Sequence, residues 1–114
     1  MKKIKTLKKN YEFKNVLNNG KFYIKNQLIV YIKKNKKNEN YIGIAINTKI
    51  CNAVKRNRVK RIIRENYRII EPDLKKGYDI VFLWNKNYNP NNISFKIIKK
   101  EMMEIFQQAE ILIK

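Results

Sequence analysis

The chain has 114 residues, 44% of them hydrophobic, which is enough for one compact domain with a modest core. It carries 27 basic against 9 acidic residues, a net charge of +18, and self-repulsion on that scale points to nucleic acid as the neutralising partner. A single cysteine and no histidine exclude an intrachain disulfide, cysteine- or histidine-based metal sites and the histidine triads.

Residues 1–9 form a lysine-rich arm, expected to be mobile until something anionic binds it. Asn10 is placed to cap a short helix ending near Asn18, with Gly20 as its terminator. Phe13, Val16 and Leu17 share one face of that helix at i, i+3 and i+4, by default a core face. From Phe22 to Lys33 the pattern turns to the period of strands, with room for two. Leu28, Val30 and Ile32 point one way, and Ile29, Tyr31 and Lys33 the other.

The polar run K-K-N-K-K-N-E-N at 33–40 predicts a hairpin connection into a strand from Tyr41 to Thr48. One face of that strand carries Ile42, Ile44 and Ile46. The other carries Gly43, Ala45 and Asn47, small side chains that admit either another backbone or a packed helix. After a helix considered below, residues 73–77 make a turn. Tyr78 to Trp84 is then apolar on both faces apart from Asp79, as an interior strand would be. A plain loop over 85–92 leads to a last helix with Ser94 as cap and a stripe of Ile98, Met102, Ile105, Phe106, Ala109 and Leu112. Its Met pair reads as core filling. The order α-β-β-β-α-β-α defines an α+β fold, an α/β sandwich with helices on one mixed central sheet.

The remaining helix, capped by Asn52 and stopped near Ile70 by Pro72, carries the strongest signal. All five arginines of the chain fall between Arg56 and Arg68, whereas the lysines are spread from end to end. Arginine confined to one block marks positions where a forked, planar cation is needed, because it grips phosphates bidentately and stacks on bases. At 100° per residue Val59, Ile62, Ile63, Ile69 and Ile70 gather on one face, with Asn66 among them. Arg56, Asn57, Lys60, Arg61, Arg64 and Arg68 gather opposite, with Arg58 at the edge. A merely solvated face usually intersperses acids at i, i+4 to relieve repulsion. Here Glu65 is the only acid, and a polyanion is expected instead.

K-R-N-R-V-K-R-I-I-R at 55–64 reproduces the R-N-R-x-K-R-x-x-R signature and resembles the bacterial ribonuclease P protein subunit. L-K-K-N-Y-E-F (7–13), I-G-I-A-I-N-T-K-I-C-N-A-V (42–54) and D-I-V-F-L (79–83) resemble the neighbouring segments of that family, so the likeness covers essentially the whole chain. It implies that residues 1–114 are one RNA-binding domain, with a left-handed βαβ crossover through the arginine helix where the general rule is right-handed.

The resemblance further implies a protein that does not itself cut RNA. An RNA subunit with bound Mg²⁺ would remove the 5′ leader of precursor tRNA, and the protein would bind that RNA and the leader. By the same resemblance Arg56, Asn57, Arg58, Lys60, Arg61 and Arg64, with Arg68 on the same face, would contact the RNA subunit and support metal binding there. A cleft between the first helix and the sheet, with Phe13, Leu17, Ile29 and Tyr31, would take the leader by stacking and apolar contact. Trp84 would either add a stacking surface to that cleft or fill the core. Leu17, Thr48, Cys51, Trp84 and Asn85 depart from the family pattern, where an aromatic, Lys, Gly, Ala and Arg are common.

Two other function classes are open to the sequence. A structural RNA-binding protein, such as a ribosomal protein, explains the charge but offers no reason for an apolar cleft. A protein nuclease acting alone would need converging acids, and the nine carboxylates are scattered. No protein-bound metal and no small-molecule substrate are expected. Without an 18-residue apolar run, a lipidation signal or a signal-peptide core, the expected location is the cytoplasm, with no membrane partner.

Overall fold

The computed structural model describes residues 4–113. In chain order these form β1 (Lys5–Thr6), α1 (Asn10–Asn19), β2 (Lys21–Ile24), β3 (Leu28–Lys34), β4 (Tyr41–Ala45), α2 (Ala53–Ile70), β5 (Tyr78–Trp84) and α3 (Phe95–Gln108). The five strands make one mixed sheet in the order β1-β4-β5-β3-β2. β4 runs parallel to β5 and β1 parallel to β4, whereas β3 is antiparallel to both β5 and β2. Because β5 is apolar on both faces, it is stable only where both faces and both edges are covered, and it takes the centre.

This order corrects the hairpin expected at 33–40. β5 lies between β3 and β4, so the 35–40 loop passes over its end instead of turning back on a neighbour. Asn35 organises the loop: its N–H donates to the Gly77 carbonyl (2.9 Å) and its side-chain amide to Asp79 Oδ1 (2.9 Å). The buried Asn40 ties the loop to the next one, donating to the Lys75 carbonyl and accepting from the Tyr78 N–H. α2 is the crossover that joins the parallel neighbours β4 and β5.

Helices cover both faces of the sheet. On one, α2 and α3 bury Leu28, Val30, Ile32, Ile42, Ile80, Phe82 and Trp84 in the main core. Tyr67, Phe82 and Phe106 meet there edge to face, with centroids 5.9–6.4 Å apart, the arrangement that aromatic quadrupoles favour. Buried Asn66 links the two helices by donating to the Ile62 carbonyl (3.1 Å) and the Phe95 carbonyl (3.2 Å). The methionines divide: Met102 is fully buried in this core and Met103 is exposed. On the other face α1 closes a smaller core of Leu7, Val16 and Val81, with Phe13, Tyr31, Tyr41 and Leu83 packed against it.

The basic arm is shorter than expected. Lys5 and Thr6 pair with Tyr41 and Ile42, the Leu7 N–H donates to the Ile42 carbonyl (2.8 Å), and the Leu7 side chain is buried. Leu7, with Ile4 packed against the main core, anchors the segment; residues 1–3 lie outside the described residues. The cap of α1 is also one residue earlier than Asn10. Lys9 holds the extended N-cap conformation, and the Glu12 carboxylate accepts from the N–H of Lys9 (2.9 Å) and of Lys8 (3.0 Å). Those bonds, Lys9 first, hold the Glu12 carboxyl below its usual range. Gly20 does not end α1 through a left-handed turn, since its φ is −85°. It is needed for closeness: a Cβ there would lie 2.7 Å from the Val16 carbonyl oxygen and 3.0 Å from that of Ile32.

Candidate nucleic-acid interface

α2 begins where Asn52 Oδ1 accepts from the Lys55 N–H (3.0 Å), the cap read from the sequence. At 1.5 Å per residue its 18 residues span roughly 27 Å. Val59, Ile63, Asn66, Tyr67 and Ile70 dock it on the sheet. Ile69 leaves the expected stripe and is 53% exposed, and Tyr67 takes its place in the core. A phenol can do so because its tip finds a partner: the Tyr67 hydroxyl donates to Glu71 Oε2 at 2.8 Å. Burial, with the Glu71 charge beside it, pushes the Tyr67 phenol far above its ordinary value.

The outward face of α2 carries Asn57, Arg58, Arg61 and Arg64 in solvent and Lys60 half-buried. Together with Val54 these side chains line an open concavity of about 450 Å³. Two arginines differ from the rest. Arg56 folds back, its Nη1 donating to the Cys51 carbonyl at 2.8 Å, so part of its donor set holds the loop before the helix. Arg68 pairs with Glu65 at 3.0 Å. An exposed ion pair of that kind contributes about 0–1 kcal/mol and exchanges readily for a phosphate. Cys51 keeps an ordinary negative φ, so the loop does not require the glycine common at that position.

The opposite face of the sheet bears a second surface. The Phe13 ring is seated on Gly43, where an added Cβ would come within 2.5 Å of it. The small residues of β4 therefore receive a helix side chain rather than a backbone. Leu17 follows Phe13 at i+4 and is 36% exposed. Ile29 and Tyr31 are half-buried beyond α1.

Two residues the sequence reading did not assign to this surface extend it. Phe22 pairs with Tyr31 across the β2–β3 ladder, the rings 5.7 Å apart at 33°, and Ile24 pairs with Ile29. Phe22 is 58% and Ile24 52% exposed. Strict alternation about Tyr23 puts both on one face, but only the ladder register tells which. Trp84, by contrast, does not join this surface. It lies in the main core on the other side of the sheet, and its Nε1 donates to the Tyr88 carbonyl at 2.7 Å.

Register brings one row of the apolar surface to the end of the sheet at which α2 starts. Ala45, Leu83, Ile29 and Ile24 form a continuous row across β4, β5, β3 and β2. α2 starts eight residues after Ala45, at the same end. Among the described residues, no three carboxylate, cysteine or histidine side chains converge to hold a metal ion. No helix among them is long and apolar enough to cross a membrane.

A mixed-sheet domain that presents an arginine helix on one face and an open aromatic–aliphatic surface on the other fits the class of small basic RNA-binding proteins. The chain belongs to the ribonuclease P family, whose model matches residues 1–110. It is 38% identical over 106 residues to a ribonuclease P protein component of Clostridium botulinum, covering 92% of this chain and 94% of that one. To the component of Clostridioides difficile it is 37% identical over 110 residues, covering 96% and 95%. The structure of the Staphylococcus aureus RNase P protein superposes with a TM-score of 0.83 at 26% identity, over 96% of this chain and 99% of the other. The Thermotoga maritima protein, at 24% identity and a TM-score of 0.82 over 91% and 96%, shares the fold.

Proposed function

We propose that this protein binds the RNA subunit of ribonuclease P through α2 and the 5′ leader of precursor tRNA through the apolar surface of α1, β2 and β3. Asn57, Arg58, Lys60, Arg61 and Arg64 meet the RNA subunit's phosphates, Arg68 joins them by exchanging Glu65 for a phosphate, and Arg56 sets the loop that starts the helix. Phe13, Leu17, Ile29 and Tyr31, extended by Phe22 and Ile24, take single-stranded leader by stacking and apolar contact, which demands little sequence. Trp84 has no part in this because it is buried.

Hydrolysis of the phosphodiester belongs to the RNA subunit and its Mg²⁺. The protein's contribution is to hold substrate and RNA in register and to lower their mutual repulsion in the cytoplasm. The observation that carries this reading is an acid-poor arginine face on α2 in the same small domain as an open aromatic–aliphatic surface of α1, β2 and β3. The first suits a chain of phosphates and the second suits unpaired bases.

The test is precursor-tRNA cleavage at low Mg²⁺ with protein alone, with a bacterial ribonuclease P RNA alone, and with both. Cleavage at the mature 5′ end only with both supports the reading. Cleavage by the protein alone overturns it. Tight RNA binding without enhancement makes the protein a structural RNA binder.

A further inference from the structure

The leader surface is built largely on the β2–β3 hairpin, and among the described residues β2 is an edge strand whose one sheet partner is β3. β3 is laddered to β5 from Leu28 to Lys34, so the freedom of the hairpin lies in β2 and the turn, which the sheet holds on one side only. The hairpin's base is fixed by the approach of Gly20 to the Ile32 carbonyl. At its tip the Lys25 N–H closes the turn on the Leu28 carbonyl at 2.9 Å. That turn is then gripped from two other elements. Glu101 of α3, only 5% exposed, accepts through Oε1 from the N–H of Gln27 (2.8 Å) and of Leu28 (3.0 Å). Asn85, at the end of β5, donates its N–H to the Gln27 carbonyl (2.8 Å) and its side-chain amide to the Asn26 carbonyl (3.0 Å).

Resting on the leader reading above, the geometry points to Glu101 as a positioning residue that, with Asn85, fixes the turn between β2 and β3 and so the lie of the edge strand β2 in the leader surface. A buried carboxylate is costly unless its oxygens are met by donors, and here it meets two backbone N–H groups 73 and 74 residues away in sequence. Being acceptor-only and charged, it makes stronger bonds than a neutral side chain. It ties the turn to the helix that carries Met102, Ile105 and Phe106, all fully buried. Asn85 stands where arginine is common in the family, and its amide is used inward on the turn.

The experiment uses holoenzyme reconstituted with a bacterial ribonuclease P RNA and compares binding of precursor tRNA with that of mature tRNA lacking a leader. Glu101→Ala is expected to weaken leader-bearing substrate on the order of five- to tenfold, the scale of one net hydrogen bond lost from the surface's support. Affinity for mature tRNA and for the RNA subunit stays unchanged. Glu101→Gln retains an oxygen where Oε1 sits and restores most of the loss, and Asn85→Ala gives a smaller loss in the same direction. Amide exchange reads the clamp directly: the Gln27 and Leu28 N–H groups exchange faster in Glu101→Ala while Val30 is unaffected.

Equal losses for both substrates would reduce Glu101 to general scaffolding and overturn the proposal, as would full leader preference in a folded Glu101→Ala protein. If that variant does not fold, full leader preference in Asn85→Ala is the overturning result. Tyr31→Ala separates this failure from that of the leader reading. If it loses leader preference while Glu101→Ala keeps it, only the positioning role is wrong. If neither variant loses it, the leader surface itself is wrong.

Discussion

Gly43→Ala tests how α1 is held against the sheet. The new methyl group would lie 2.5 Å from the Phe13 ring atoms Cε1 and Cζ, against about 3.5–4.0 Å for two carbons in favourable contact. The ring must therefore withdraw by ~1–1.5 Å. Its outer atoms can move only by tilting α1 or leaving the preferred rotamer, so the cost falls in the usual range for overpacking, about 1–3 kcal/mol. For a domain of this size each kcal/mol lowers the thermal midpoint by about 4 °C, and a drop of roughly 4–12 °C is expected.

The assay is thermal unfolding of Gly43→Ala, Phe13→Ala and the double variant, in a buffer with enough salt to screen the net charge. Phe13→Ala alone costs about 2–3 kcal/mol for a half-buried ring. Adding Gly43→Ala to it should cost almost nothing, because the clash is gone, giving a coupling of at least ~1 kcal/mol. Strict additivity of the two single costs would refute the seating of Phe13 on Gly43, and with it the placement of the helix that walls the proposed leader surface.

Three further outcomes are expected. Binding to the ribonuclease P RNA weakens steeply with salt, and Arg61→Ala with Arg64→Ala lowers the slope of log K against log[salt] by about 1.4–1.8, the share of two phosphates; an unchanged slope, measured by fluorescence anisotropy, would take both arginines off the RNA. Trp84, the only tryptophan and 4% exposed, should emit as a buried indole and show no added quenching when leader-bearing RNA replaces leaderless RNA. Quenching by the leader would put the indole back on the binding surface. Glu12 has a folded-state carboxyl held below its ordinary value of 4.5 by the Lys9 and Lys8 backbone N–H groups. The stabilisation it gives is therefore present above that pH and is lost as pH falls through the lower folded value. Acid titration of Glu12→Gln should lack this part of the decline, and an acid limb identical to the parent's would remove the cap.

Much of the interface was legible because α2 carries its own punctuation. Asn52 caps it, Pro72 follows it, and its apolar and cationic stripes alternate at the helical period. What the wheel could not decide was Ile69 against Tyr67, because hydrophobicity favours Ile while the phenol gains a partner in Glu71. The strand order was hidden for a different reason. Successive strands pair by default, and only β5, apolar on both sides, hinted that something would come between β3 and β4. Leu7 went unnoticed as an anchor among lysines that dominate any average over the first nine residues. Phe22 and Ile24 were missed because their face depends on a register set by hydrogen bonds, not by composition.

The place of β5 also governs how the chain can be made. A chain ending before residue 78 could form at most two ribbons, β1 beside β4 and β2 beside β3, with no ladder between them. Each would be two-stranded and marginal in water, and neither would have Phe82 to support α2. Translation thus delivers the arginine helix before β5 and α3, which complete the surface on which it docks. The continuous sheet requires the seven residues of β5, which join both ribbons. A truncated product of this gene would carry most of the positive charge and none of the continuous sheet, leaving proteolysis to tell it from the finished subunit.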